Sequence, residues 1–381
     1  MRILYHFRTQ GTGAEGVHIA GVANAFEQLG HEVQFISPTG TDPRRSGGEN
    51  PFARKRRGLL GTLAAHAPGF VFEMMEIAYN FVARRRIAAR LAREKFDFIY
   101  ERHAFFLDAA ASASRDLPLV IEVNELAGDE RIRATPWLLP LARRADRHTF
   151  ARASAIITVS PHLKRRIESL GVAAEKIRVI PNAVSDDFLN APNRREEIRA
   201  RLGLADATIV GFIGWFVDWH RLDRLIAEFA KVALADASLR LMLVGDGPLR
   251  DALTAQAAQL GIADRLVWPG PVPHGDVPAW LDAMDIAVVP HSNEFRSPIK
   301  LFEAMARARA VIAPRTEAIA SIVSDGEDAL LFDPESAAEL GARLATPPTL
   351  RAQLGAAART KIAAHHTWRR NAERVLAALR R

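Results

Sequence analysis

Strand-length apolar runs alternate with helical patterns along almost the whole chain, in two successive series. In the first, RILYHF, HEVQFIS, FDFIY, LPLVIEV, AIITVS and IRVIPN are separated by helical patterns over residues 17–29, 73–95, 137–153 and from Pro161. The runs are continuously apolar, as parallel strands covered by helices on both faces must be. SDDFLNAPNR, residues 185–194, interrupts the alternation and reads as a linker. A second series follows: ATIVGFIG, LRLMLVG, RLVWPG, DIAVVP and AVIAP, with helices over residues 222–235, after Pro248, near Pro278 and near Lys300. The pattern predicts two doubly wound α/β domains, residues 1–186 and 195–364. A final helix over 365–381, HHTWRRNAERVLAALRR, is expected to pack back on the first domain. The length of 381 residues agrees, because single cores stop growing at roughly 250–300 residues.

Composition narrows the function. The chain has no cysteine, so disulfides, thiolate metal sites and thiol nucleophiles are excluded and a reducing compartment is favoured. MRILYHF reads as a buried strand without a signal-peptide cleavage site, and no run is long enough to span a bilayer. The expected location is therefore the cytoplasm. The net charge of +7 is densest at Arg44, Arg45, Arg54, Lys55, Arg56 and Arg57, just ahead of the apolar segment GLLGTLAAHAPGFVFEMMEIAYNFV. That combination suits a peripheral contact with anionic lipid at the inner face of the cytoplasmic membrane, or simply a solvated loop and a core helix. Nucleic acid fits poorly, since acidic residues are interspersed and no zinc spacing or aromatic-basic motif is present.

In open parallel sheets ligands bind beyond the carboxyl ends of the strands, so the informative residues follow each apolar run. After the first strand, RTQGTGAEGVH offers Gly13 and Gly16, which allow close backbone approach to an anion at a helix start or, equally, tight packing. VGDGPL places Gly245, Asp246 and Gly247 before a helix that Pro248 can open. In SPIKLFEAMA, Ser297 is expected to cap a helix opened by Pro298. Ile299 and Lys300 then present amides and a mobile positive charge, with Glu303 one turn on as a hydrogen-bond acceptor for a ribose diol.

Taken together, GFIGWFVDWHRLDRLIAEFA, LVGDGPLRDAL, RLVWPGPVPHGDVPAWLDAMDIAVVP, SPIKLFEAMARARAVIAP and ITVSPHLKRRI with KIRVIPNAV resemble the retaining glycosyltransferases of family 4, in order and over nearly the whole chain. The resemblance implies the GT-B fold, with two facing Rossmann-like domains, an interdomain cleft, the donor nucleotide on the C-terminal domain and the acceptor on the N-terminal one. It implies that Glu303 holds the donor ribose and that Ser297, Pro298, Ile299 and Lys300 meet the donor sugar and phosphate. Gly214 stands where the family follows glycine with arginine and a lysine-glycine pair. Here Trp215, His220 and Arg221 occupy the loop, and His220 and Arg221 are candidates to replace the usual cations. Val267 to Pro271, including Pro269, matches the loop beside the nucleobase. At the family's first glutamate stands Phe295, with Glu294 one position early. In the N-terminal half YERHAFF and VIEVNEL resemble segments lining the reaction centre, with Asn124 where many relatives have histidine and Glu101, Arg102, His103, Glu122 and Glu125 as acceptor-side candidates.

The resemblance further implies transfer from a nucleotide-sugar to a glycan, lipid-linked or small-molecule acceptor. Leaving diphosphate charge is met by His220, Arg221 and Lys300, and the leaving phosphate helps to deprotonate the acceptor. Asn124 orients the donor or acceptor, and domain closure excludes water. No cofactor and no metal are expected. The alternatives on the same fold are a nucleotide-sugar epimerase and a non-catalytic sugar-nucleotide-binding subunit.

Overall fold

The computed structural model describes residues 1–9, 11, 13–44, 69–114, 116–127 and 137–380. Of the basic patch, Arg45, Arg54, Lys55, Arg56 and Arg57 lie outside the described residues, as do residues 58–68 of the apolar segment that follows them. The chain divides into two units, Met1–Pro181 with Arg369–Arg381, and Asn182–Trp368.

The first unit is built on a six-stranded sheet in the order β2-β1-β3-β4-β5-β6. Its strands are β1 (Arg2–His6), β2 (Glu32–Ile36), β3 (Phe98–Arg102), β4 (Leu119–Val123), β5 (Ala155–Thr158) and β6 (Ile177–Val179). All neighbours run parallel. Ile3, Leu4, Tyr5, Ile99, Val120 and Ile121 are fully buried, which is why these strands read as continuous apolar runs. Aromatic rings pack edge-on beside them, with Tyr5 4.9 Å from Tyr100 and Phe26 5.7 Å from Tyr100 between ring centroids.

The second unit has the order β12-β11-β10-β7-β8-β9. Its strands are β7 (Thr208–Trp215), β8 (Leu239–Asp246), β9 (Leu266–Gly270), β10 (Ile286–Val288), β11 (Ala310–Pro314) and β12 (Leu330–Phe332). Both faces carry a core. Along β8, Leu241 and Leu243 join one cluster with Phe212, Leu225 and Phe229, while Met242 and Val244 join the other with Met284, Leu301 and Phe302. The edge strand β12 was not expected from the sequence. Chain order reverses between β7 and β10, so both units are doubly wound and Rossmann-like, and the crevice of the second lies at the carboxyl ends of those two strands.

Three local expectations are corrected. Residues 185–194 do not form a free linker. Ser185 accepts from Phe188 N at 3.1 Å and caps the helix Asp186–Asn190, which belongs to the second unit, so the division falls at Pro181 and not at 186. Pro248 sits in a turn, and the helix it was expected to open begins at Arg250. Ser297 does not cap the helix Ile299–Ala306, because its hydroxyl accepts from Asn182 N at 3.0 Å and Pro298 takes the cap position.

What holds the segment after Pro181 is a buried ion pair. Arg307 donates to both Asp282 oxygens at 2.9 and 2.8 Å and to the carbonyls of Phe188 and Ala191 at 3.1 and 2.9 Å. Removing one partner strands a buried charge, which costs about 3–5 kcal/mol. Asp282→Ala is therefore expected to lower the stability of the second unit by about that amount in urea denaturation. A loss below about 1 kcal/mol would show that the pair does not anchor the segment.

Candidate functional site

The crevice of the second unit is lined by bare backbone. Gly214, at the end of β7, has φ +151°, and a Cβ there would lie 2.8 Å from Lys300 Nζ. At Gly245, φ +137°, a Cβ would lie 2.0 Å from the Gly214 carbonyl oxygen, and at Gly247 one would lie 2.4 Å from that of Phe216. These glycines let the ends of β7 and β8 close on one another and leave Lys300 room above them. Asp246, exposed beside them, accepts from Gly247 N at 2.9 Å and shapes the turn.

Lys300 Nζ stands 4.1 Å from the Phe212 ring centroid and 3.3 Å from His220 Nε2. Burial lowers its pKa to about 7, with Glu303 opposing and Arg296 adding to the fall. Burial, then Lys300, Arg296 and His291, hold His220 far below the ordinary histidine range, so it is a neutral imidazole. Its Nε2 accordingly accepts from Lys300, leaving the proton on Nδ1, which is buried and has no partner among the described residues. Arg221, the other expected cation of this loop, pairs within its own turn. With φ +48° it turns into the next helix, and its guanidinium lies on Asp223 at 3.0 Å, which raises its pKa.

The loop after β10 completes the group. His291 Nδ1 donates to the Trp219 carbonyl at 2.8 Å, and Arg296 lies 5.8 Å from the Trp219 ring centroid and 5.7 Å from that of Phe295. Phe295 is buried, and Glu294 accepts from Glu317 N at 2.7 Å, so that carboxylate anchors a neighbouring helix. The helix Ile299–Ala306 opens without a side-chain cap, which leaves the amides of Ile299 and Lys300 facing whatever lies before it. One turn on, Glu303 is buried, and its Oε1 lies 2.8 Å from His274 Nε2. Val267 is half-buried in β9, and Pro269 takes the edge of the sheet, where a missing N–H costs little.

In the first unit the expected residues gather at the carboxyl ends of β1, β3 and β4. Glu122 accepts from Tyr100 Oη at 2.7 Å, Arg102 Nη1 at 2.7 Å and Asn124 Nδ2 at 2.6 Å, and pairs with His18 Nε2 at 2.6 Å. Burial works against its charge, but His18, Arg102 and Tyr100 outweigh that and hold the carboxyl well below the usual range. Because Asn124 donates its amide inward, its oxygen is left to accept from outside. Glu101 is fully buried against His6 at 2.6 Å, and His103 against Asp146 at 2.8 Å, so both sit within the unit's interior. Glu125 is half-buried beside Asn124. Gly13 starts the first helix at φ +63°, and Gly16 is required by packing, since a Cβ there would meet the Gly11 carbonyl oxygen at 2.4 Å. Among the described residues, no three His, Asp or Glu side chains come together as a metal-binding group.

Sequence reasoning missed His274, His291, Arg296, His18 and Tyr100. None carries a motif of its own, and each acts through a partner far away in the chain.

Two family patterns match the chain, Glycosyltransferase Family 4 over residues 15–188 and Glycosyl transferases group 1 over residues 207–346. The 2-deoxystreptamine glucosyltransferase of Streptomyces kanamyceticus is 29% identical over 205 residues, 53% of each chain, so the match spans about half of that relative's length. The alpha-D-kanosaminyltransferase of the same organism is 25% identical over 316 residues, 80% of each chain. A crystal structure of Anabaena Alr3699/HepE in complex with UDP shares the fold, with a TM-score of 0.72 and 19% identity over 100% of both chains.

The lowered Lys300 pKa has a signed consequence. Between about 7 and the ordinary lysine value the native state binds fewer protons than the unfolded chain, so this group makes stability rise with pH across that window. Thermal melting over that window is expected to show the rise in the wild type and lose it in Lys300→Met. Calorimetric titration is expected to show the reverse trend for anions: affinity for a nucleoside diphosphate falls as pH rises past about 7, and Lys300→Arg flattens the fall. A wild-type affinity that does not change over this range would remove Lys300 from the anion site.

Proposed function

We infer that this chain, which belongs to the family 4 and group 1 glycosyltransferases of GT-B fold, transfers a sugar from a nucleotide diphosphate donor to an acceptor hydroxyl with retention of configuration. One observation carries the reading. A lysine ammonium, an uncapped helix start and a carboxylate one turn further lie together at the topological switch point of the second unit. As the glycosidic bond breaks, charge builds on the leaving phosphate oxygen. Lys300, the Nδ1–H of His220 and the amides of Ile299 and Lys300 are the donors that meet it. This ammonium, the imidazole N–H and the amides supply the electrophilic assistance, so turnover proceeds in chelator. In a retaining transfer the acceptor attacks from the face the diphosphate leaves, and the departing phosphate oxygen takes the acceptor proton. Asn124, fixed by Glu122, offers its amide oxygen to a sugar hydroxyl.

The acceptor is a glycan, lipid-linked or small molecule handled at the inner face of the cytoplasmic membrane. The helix Gly69–Arg93 supports the membrane contact. Phe70, Met74, Met75, Phe81 and Val82 are exposed along its first turns, Phe81 at 67%, ahead of Arg85, Arg86, Arg90 and Arg93. Trp137, 78% exposed, is tied to the same helix through its N–H to Glu73 at 2.8 Å. No helix among the described residues is long and apolar enough to cross a membrane.

A thermal-shift screen of nucleotide sugars is expected to name the donor, since a specific ligand stabilises by mass action. Lys300→Ala is expected to lower kcat by about a hundredfold or more, and Glu303→Ala to raise the donor KM by about tenfold or more. Wild-type donor affinity and turnover in both variants would refute the site. Incubation with donor alone separates transfer from epimerisation, which needs no acceptor. For the membrane face, the wild type is expected to sediment with phosphatidylglycerol vesicles and not with phosphatidylcholine, and Phe81→Glu with Trp137→Glu to stay in solution. Equal binding of variant and wild type would discard that face.

A further inference from the structure

We propose that His274 is a positioning residue for Glu303, fixing the plane of its carboxylate so that the remaining lone pairs meet the vicinal hydroxyls of the nucleoside ribose. The inference rests on the reading that Glu303 receives the ribose. A carboxylate turns easily about its last bond, and two hydroxyls on adjacent carbons are gripped well only when both oxygens lie in their plane. His274 Nε2 lies 2.8 Å from Glu303 Oε1, which removes that freedom and leaves acceptor capacity on both oxygens.

Among the described residues, His274 is the side chain hydrogen-bonded to Glu303. Apart from Lys300, whose ammonium meets His220, the pocket around Glu303 is lined by residues such as Ile213, Leu281, Met284, Val289 and Ala304, which offer no side-chain hydrogen bond. His274 is itself held. It begins the short turn His274–Asp276 after β9, and its ring lies 5.9 Å from that of Phe188. The Phe188 carbonyl is in turn bonded to Arg307 at 3.1 Å. The imidazole is thus placed by two chain segments far apart in sequence. Burial opposes its protonation, but the hydrogen bond and charge of Glu303 prevail and raise its pKa, so the pair is charge-assisted.

The test uses the full chain with UDP, GDP and their 2′-deoxy counterparts, titrated by calorimetry, together with steady-state kinetics on the donor from the thermal-shift screen. The wild type is expected to prefer the ribose form about tenfold. His274→Ala and His274→Leu are expected to lose that preference and raise the donor KM about tenfold with kcat within about twofold, because ground state and transition state share the ribose contact. His274→Gln, whose amide also donates, is expected to keep most of both. Should His274→Ala and His274→Leu retain the preference while Glu303→Ala loses it, the positioning role is overturned and the ribose reading stands. Should Glu303→Ala keep the preference, the ribose reading fails and this inference with it. Equal impairment in His274→Gln and His274→Ala would also overturn the proposed hydrogen bond.

Discussion

The second unit is organised around a lysine ammonium placed over an aromatic ring, with no carboxylate at ion-pair distance among the described residues. Lys300 meets only the Phe212 face, a neutral His220 and the distant charge of Glu303, and its pKa falls to about 7 in consequence. A protein stabilised for its own sake would fill that place with an apolar side chain. Gly214 leaves that ammonium its room, since a Cβ there would lie 2.8 Å from Lys300 Nζ, while Gly245 lets the ends of β7 and β8 close on one another. Folding energy is given up at this point and supplied elsewhere, in the cores on either face of the sheet and in the Arg307–Asp282 clamp.

The first unit solves a different problem. Its carboxylate, Glu122, is saturated by donors from Tyr100, Arg102, Asn124 and His18, which come from three separate elements. Saturation makes Glu122 unsuited to act as a base and well suited to fix the groups around it. Asn124 is then the member whose polar end remains to be used.

Much of this was legible in the chain. Eleven of the twelve strands follow from continuous apolar runs, because a strand buried on both faces has no polar position to hide. Gly214, Lys300 and Glu303 were legible because a strand-loop-helix junction limits which residues can face a ligand. What was not legible depends on partners distant in sequence. Ser297 has the look of a helix cap, yet Asn182 claims its hydroxyl from the far side of the unit. Arg221 looks like a free cation, yet Asp223 two residues on takes it. His274 lies in PVPHGD with no local pattern at all, and only the fold brings it to Glu303.

The loops that carry the two departures from the family pattern pack together. Trp215, His220 and Arg221 stand at the end of β7 and in the loop after it, where the resemblance would place cations, and Phe295 stands in the loop after β10 where it would place the first glutamate. The structure joins them: His291 donates to the Trp219 carbonyl, the Arg296 guanidinium lies near both the Trp219 and Phe295 rings, and Lys300 meets His220. Once Trp219 presents an aromatic face, an arginine on the facing loop has a surface to rest on, and a buried phenylalanine beside it suits the apolar setting better than a carboxylate would. The displaced acidic function reappears at Glu294, spent on the backbone of Glu317. The loop after β10 thus packs on the loop after β7 through the Arg296 guanidinium and the His291 hydrogen bond.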